Sequence, residues 1–187
     1  MEGVKRDVLV LGVTGSIAAY KAAELTSQLC QQGIEVQVIM TGSATRLIAP
    51  QTFLTLSRHP VVTSLWDNPA QWQPRHIELA LRTRVLLIAP ATANILAKMA
   101  HGIADDALST FCLSHDGPVL VAPAMNPRMW HHPATVENCR LLAGRGVQFI
   151  GPVAGRVACG DDGMGRLAPV SDIFAAALKR WQSAPGA

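Results

Sequence analysis

The sequence predicts an α/β fold: a three-layer, doubly wound parallel sheet, Rossmann/flavodoxin-like, in a single domain. Three observations carry this. Continuous apolar, β-rich runs occur at residues 8–13, 36–40, 85–89, 119–122 and 147–150. Runs of that kind fit strands covered on both faces. Helical patterns fall between them, and small or polar residues follow each run, where a parallel sheet gathers its ligand-binding loops.

The elements follow in order. The first run leads through Gly12-Val13-Thr14-Gly15-Ser16 into a helix over 17–31, with Gly33 at its C-cap. The second ends at Met40-Thr41, followed by Gly42-Ser43 and a helix over 44–56. Residues 66–74 read as an irregular loop and 77–81 as a short helix. The third run ends at Pro90-Ala91-Thr92-Ala93-Asn94, with helices over 94–100 and 105–112. The fourth gives Pro123-Ala124-Met125-Asn126 and a helix over 128–143, with Gly144 and Gly146 near its C-cap. Residues 152–169 show neither periodicity and read as a flexible active-site flap. It contains the glycine-rich run 155–166 with Cys159 inside. A helix over 172–182 and a frayed tail at 183–187 close the chain.

The 187 residues suit one domain with a full core. Hydrophobic residues make up 49% and charged residues 16%, which predicts that subunits bury part of the surface in a homo-oligomer. No apolar run reaches the length of a membrane span, and the N-terminus has no signal-peptide pattern. The expectation is a cytoplasmic protein with no membrane partner. A net charge of +3 with dispersed basic residues speaks against nucleic acid. The four cysteines, Cys30, Cys112, Cys139 and Cys159, form no CxxC pair, so no metal site or disulfide framework is expected. The first three fall in predicted helices and read as small core residues.

Gly15, Ser16 and Ile17 open a helix behind a strand, where free backbone N–H groups hold anions. A plain Ser N-cap is the competing reading. The turn is not GxGxxG, and the second strand lacks the terminal acid that holds a dinucleotide ribose. Thr41 and Ser43 stand there instead, and hydroxyls suit a phosphate. FMN is therefore favoured over NAD. Ala91, Thr92, Asn94, Ser109 and Thr110 add small, hydroxyl or amide positions, with helix capping as the competing role for the polar ones.

Taken together, these segments resemble the flavin-containing cysteine decarboxylases, in the branch that serves coenzyme A biosynthesis. The matching residues are Gly15–Lys21 (GSIAAYK), His76–Leu79 (HIEL), Pro90–Asn94 (PATAN), Gly102–Asp106 (GIADD), Pro123–Trp130 (PAMNPRMW) and the Cys159 run. The resemblance covers residues 8–169. The PxMNxxMW and ACGxxGxGR patterns are specific to the family, while the glycine turn is not. Arg84 departs from it, since an acidic residue is expected before the third strand.

The resemblance implies FMN-dependent decarboxylation of 4'-phospho-N-pantothenoylcysteine to 4'-phosphopantetheine. An N-acyl cysteine has no free amine for a Schiff base. Transient flavin oxidation of its thiol to a thioaldehyde would provide the electron sink. Loss of CO₂ would leave an enethiol, which is then re-reduced. His76 matches the family's active-site acid–base; a helix-start histidine is the alternative. The other histidines, His59, His101, His115, His131 and His132, match no catalytic position and read as surface or capping residues. Asn126 would hold the substrate carboxylate with a neutral amide, against an N-cap before Pro127. Met125 lines the pocket or packs in the core. Cys159 would supply the proton that finishes the saturated thiol.

The Asp105-Asp106 pair reads first as the acidic start of a helix, with Asp105 by resemblance also a substrate contact. Lys98 and Arg166 are candidates for the substrate phosphate. The family forms trimers, often assembled into dodecamers. In many bacteria this domain is fused to a phosphopantothenate–cysteine ligase, so a free-standing enzyme with a separate ligase partner and a fragment of a fused enzyme both stand. The alternatives are a non-catalytic flavin-binding regulator and a peptidyl-cysteine decarboxylase of the same superfamily. A flavin prenyltransferase should lack PAMN and the Cys159 run.

Overall fold

The structure is a computed structural model. It describes residues 6–66, 75–156, 160 and 162–184, with the backbone alone for 75 and 76.

Five parallel strands form the sheet: β1 (Val8–Val13), β2 (Glu35–Met40), β3 (Thr83–Ala91), β4 (Val119–Pro123) and β5 (Gln148–Phe149), in the order β2-β1-β3-β4-β5. The chain leaves β1 toward β2 on one side and resumes with β3 on the other. The crevice between the C-terminal ends of β1 and β3 is thus the point where the winding reverses, the usual ligand position in such sheets.

Strand alternation builds two cores. Leu9, Leu11 and Val13 of β1 face one side, packing with α1 (Lys21–Gln31), α2 (Pro50–Ser57) and α8 (Val170–Ser183). Val8 and Val10 face the other, with α3 (Arg75–Arg82), α4 (Ala93–His101), α5 (Ala107–Ser114) and α7 (Pro133–Gly144). All six residues of β1 are buried. Each fully buried Leu or Val contributes about 1.5–3 kcal/mol relative to exposure.

The helices depart from expectation where proline or capping intervenes. The predicted 17–31 helix opens as a 3₁₀ turn, Ile17–Tyr20, before α1. The predicted 44–56 helix splits into a 3₁₀ turn, Ala44–Arg46, and α2, which restarts with Pro50 at N1. The predicted 128–143 helix splits into α6 (Pro127–Trp130) and α7, again restarting on a proline, Pro133. Proline lacks the N–H that would continue a helix but fits its first turn. The C-caps of α1 and α7 are Gln32 and Arg145, and Gly33 (φ 75°) and Gly146 (φ 88°) stand one residue beyond them in the left-handed region. Gly144 is instead the last residue of α7.

The larger correction lies in the segment read as aperiodic. Residues 152–169 contain a two-stranded antiparallel ribbon, β6 (Val153–Arg156) and β7 (Asp162–Arg166). Its glycines hide the usual β signal, because they leave no apolar side chain to alternate. Cys159 lies outside the described residues, as do 67–74 of the expected irregular loop. At the C-terminus α8 runs through Ser183, and Ala184 is buried, so fraying does not begin at 183. Arg84 explains the anchorage: its Nη2 donates to Ala184 O at 2.6 Å, and its guanidinium lies 5.0 Å from the Trp181 ring centroid. Arg84 thus ties α8 to the start of β3, at the opposite end from the strand C-termini. His115, expected at the surface or as a cap, is at the end of α5 but buried, stacked on Phe111 at 5.8 Å. Burial, with Arg6 nearby, lowers its pKa against the raising effects of the Pro118 carbonyl and Asp116.

Candidate functional site at the strand C-termini

Loops after β1, β2, β3 and β4 meet at the C-terminal edge of the sheet, and the β6–β7 ribbon rests on the last of them. After β1, Thr14 is buried, Gly15 and Ser16 are half-buried, and Ile17 is exposed. The Ser16 hydroxyl accepts from the Ala18 N–H at 3.4 Å, a local N-cap. A Cβ on Gly15 would overlap Ser43 Cβ, so the β1 and β2 loops touch only because residue 15 is glycine. The Thr41 N–H donates to Val13 O at 3.0 Å, and the Thr41 hydroxyl accepts from Ala44 N–H at 3.3 Å. Thr41 is half-buried and Ser43 exposed beside the crevice.

After β3, Ala91 is fully buried, and its carbonyl accepts from Ala124 N–H at 3.0 Å. Thr92 caps α4, its hydroxyl accepting from Ile95 N–H at 3.4 Å. Asn94 is exposed in the first turn. The structure thus brings Gly15, Ser16, Ile17, Thr41, Ser43, Ala91, Thr92 and Asn94 to one edge. No acidic residue stands at the end of β2, where a dinucleotide ribose would be held.

Ser109 stands in a different network. It is buried and forms a capping box with Asp106, receiving the Asp106 N–H at 3.0 Å while Asp106 Oδ1 accepts from Ser109 N–H at 2.8 Å. Lys98 Nζ pairs with Asp105 Oδ1 at 2.5 Å and Asp106 Oδ2 at 2.7 Å. Burial works to lower the Lys98 pKa, but the two carboxylates raise it. Burial likewise works to raise Asp106, yet Lys98 and Ser109 hold it below the usual carboxylate range. Asp105 is lowered by its hydrogen bond to Lys98. The Lys98 charge is thereby committed inside the protein. Cys112 beside this network has its thiol pushed up to about 12 by burial and Asp106, and burial also raises Cys30 and Cys139. Thiols raised in this way are poor nucleophiles.

After β4, Met125 is buried in the core while its N–H donates to Gly165 O of β7 at 2.9 Å. Asn126 caps α6, and it does so with its side chain: Oδ1 accepts from Arg128 N–H at 2.8 Å. Gly165 (φ 148°) has no room for a Cβ, which would overlap Met125 O. At Gly163 a Cβ would lie 3.2 Å from Pro127. Two glycines two residues apart therefore let one face of β7 seat directly on the Asn126 loop. Arg166 is exposed in β7, and its side chain lies across Gly155 of β6. His76 is the second residue of α3, its side chain outside the described residues, as is all of Cys159.

Two features had little warning in the sequence. The ribbon's signal was the Gly163/Gly165 spacing, which has the strand period. Thr14 read only as part of a turn, although its hydroxyl joins the β1 and β3 loops.

Comparison with known proteins agrees with this geometry. The family model described as Flavoprotein matches residues 2–182. The coenzyme A biosynthesis bifunctional protein CoaBC of Vibrio vulnificus (strain YJ016) is 45% identical over 177 residues, covering 95% of this chain and 44% of that protein. This chain therefore spans less than half the length of such curated relatives. A cysteine-to-serine variant of PPC decarboxylase, solved with pantothenoylaminoethenethiol, superposes with a TM-score of 0.84 at 31% identity, over 95% of this chain and all of that one. The FMN-dependent cysteine decarboxylase SpaF gives 0.79 at 32% identity, over 92% and 95%. With the flavodoxin-type strand order, the converging strand-end loops and these matches together, the chain belongs to the flavoprotein family.

Proposed function

We propose that this chain decarboxylates 4'-phospho-N-pantothenoylcysteine to 4'-phosphopantetheine with FMN as its cofactor. The observation that carries the reading is the seating of β7 on the Asn126 loop, Met125 N–H to Gly165 O at 2.9 Å. It joins the two family-specific motifs at the strand edge that faces the crevice.

The crevice suits FMN in kind. Glycine and hydroxyl groups line its phosphate side, and no ribose-binding acid follows β2. Gly15, Ser16, Ile17, Thr41, Ser43, Ala91, Thr92 and Asn94 would hold it, while Ser109 supports the edge indirectly by capping α5 with Asp106. Bound there, FMN would supply reversible two-electron redox chemistry at the thiol-bearing carbon.

The chain's own residues handle charge and protons. Asn126 binds the substrate carboxylate with a neutral amide. A cation there would favour the charged ground state over the departing CO₂. His76 moves the proton during the first half-reaction, a task for a group that titrates near neutrality. Cys159 delivers the proton that completes the saturated thiol. Met125, Asp105 and Arg166 flank the substrate, and residues 152–169 act as the flap over it.

The domain works as a homotrimer or homododecamer in the cytoplasm. Exposed Ile77 and Leu81 on α3, with Ile17 and Tyr20 beside the crevice, support subunit contact. A phosphopantothenate–cysteine ligase, fused or separate, supplies the substrate.

The Cys159→Ser variant tests the division of labour. It is expected to release CO₂ while accumulating the enethiol, seen by mass spectrometry as a product two hydrogens short of the saturated thiol. A normal yield of saturated thiol would remove Cys159 from the mechanism.

A further inference from the structure

We propose that Thr14 is a positioning residue that sets the phosphate end of the flavin site by clamping the β1 loop to the β3 loop. This rests on the reading that the chain binds FMN at the β1/β3 crevice. Thr14 follows the last residue of β1 and is 1% exposed. Its hydroxyl donates to Pro90 O at 2.7 Å and accepts from Thr92 N–H at 3.1 Å. Those partners lie 76 and 78 residues away, at the end of the neighbouring strand β3 and just past it, across the winding reversal. One hydroxyl thus uses both its donor and an acceptor site to bridge the two loops.

The bridge reaches the polar groups at the crevice from both sides. Gly15 and Ser16 follow Thr14 directly, and Gly15 is pressed against Ser43 of the β2 loop. Thr92, whose amide Thr14 holds, is the N-cap of α4. Moving Thr14 therefore moves the β1 turn relative to the start of α4, and with it the spacing between Ser16 and Thr92. β1 and β3 do pair through their length up to Gly12 and Ile88, but the ladder stops there. Beyond it, the Thr14 hydroxyl carries the side-chain link between the loop ends. Two loops held in register before the ligand arrives leave less ordering to be done on binding.

Thr14→Val keeps the shape but leaves a buried carbonyl and amide unpaired, and the two loops must separate or admit water. Thr14→Ser retains the hydroxyl. The readout is FMN and riboflavin affinity of the apo-protein, followed by flavin fluorescence. Thr14→Val is expected to bind FMN about 10- to 100-fold more weakly, with riboflavin affinity changed less than threefold. Thr14→Ser is expected to restore FMN affinity.

Equal FMN affinity in Thr14→Val and wild type would overturn the proposal. So would an equal loss for both ligands, which marks general loosening, or a Thr14→Ser variant as weak as Thr14→Val. If Thr14→Val does not fold, Thr92 amide exchange in the wild-type apo-protein decides. Strong protection supports the clamp, and exchange at the unprotected rate overturns it. A wild-type chain that binds neither flavin would instead remove the flavin reading, and this proposal with it.

Discussion

Asn126 must meet two demands with one side chain. Its Oδ1 accepts from the Arg128 amide and starts α6, while the proposed chemistry needs its amide at a substrate carboxylate. Aspartate separates the two. It is as good an N-cap as asparagine, so the fold should hold, but it brings a second negative charge to the carboxylate. Asn126→Asp is expected to keep its Tm within about 3 °C of wild type, equivalent to roughly 1 kcal/mol, and to lose at least about 100-fold in kcat/KM, equivalent to roughly 2.7 kcal/mol. Wild-type turnover at unchanged Tm would take Asn126 out of substrate binding. The local motif Asn-Pro made the cap legible in the sequence. It did not reveal that the cap uses the side chain, because Asn can cap through that oxygen or simply precede Pro at N1.

The element least visible in the sequence is the ribbon. Strands β1, β3 and β4 were legible because burial on both faces demands continuous apolar residues, and the edge strand β2 through the apolar end of its Glu-Val-Gln-Val-Ile-Met run. The helix breaks at Pro50 and Pro133 were written in the chain but submerged in longer amphipathic patterns. The ribbon carries the strand period in glycines at 155, 163 and 165, which offer no hydrophobic signal. Its seat is steric: β7 approaches the β4 loop until a methyl at residue 165 would overlap Met125 O. Gly165→Ala is expected to weaken the seating by about 2 kcal/mol through the clash and the positive φ. That corresponds to roughly 30-fold faster exchange of the Met125 amide, measured by hydrogen–deuterium exchange. Unchanged protection would show that the ribbon is held by something else. The Lys98–Asp105–Asp106–Ser109 network is the opposite case. Its residues were visible as polar candidates, but only the fold reveals that they satisfy one another.

At the scale of the molecule, the β2-β1-β3-β4-β5 order decides where chemistry can occur. It opens a crevice between β1 and β3 and brings the β4 loop, with the ribbon on it, to the same edge. Arg84 anchors α8 at the far end, so the two ends of the sheet divide between support and site. On the proposed reading, this edge holds a flavin that cycles with a cysteine substrate. The most direct measurement is the absorption spectrum of the FMN-loaded protein under argon, before and after 4'-phospho-N-pantothenoylcysteine, with CO₂ and thiol product quantified. An oxidised flavin spectrum is expected at the start and again at the end, with one CO₂ and one 4'-phosphopantetheine per substrate consumed. A chain that cannot be loaded with FMN, or a loaded one that leaves the substrate carboxylate in place, would contradict that reading.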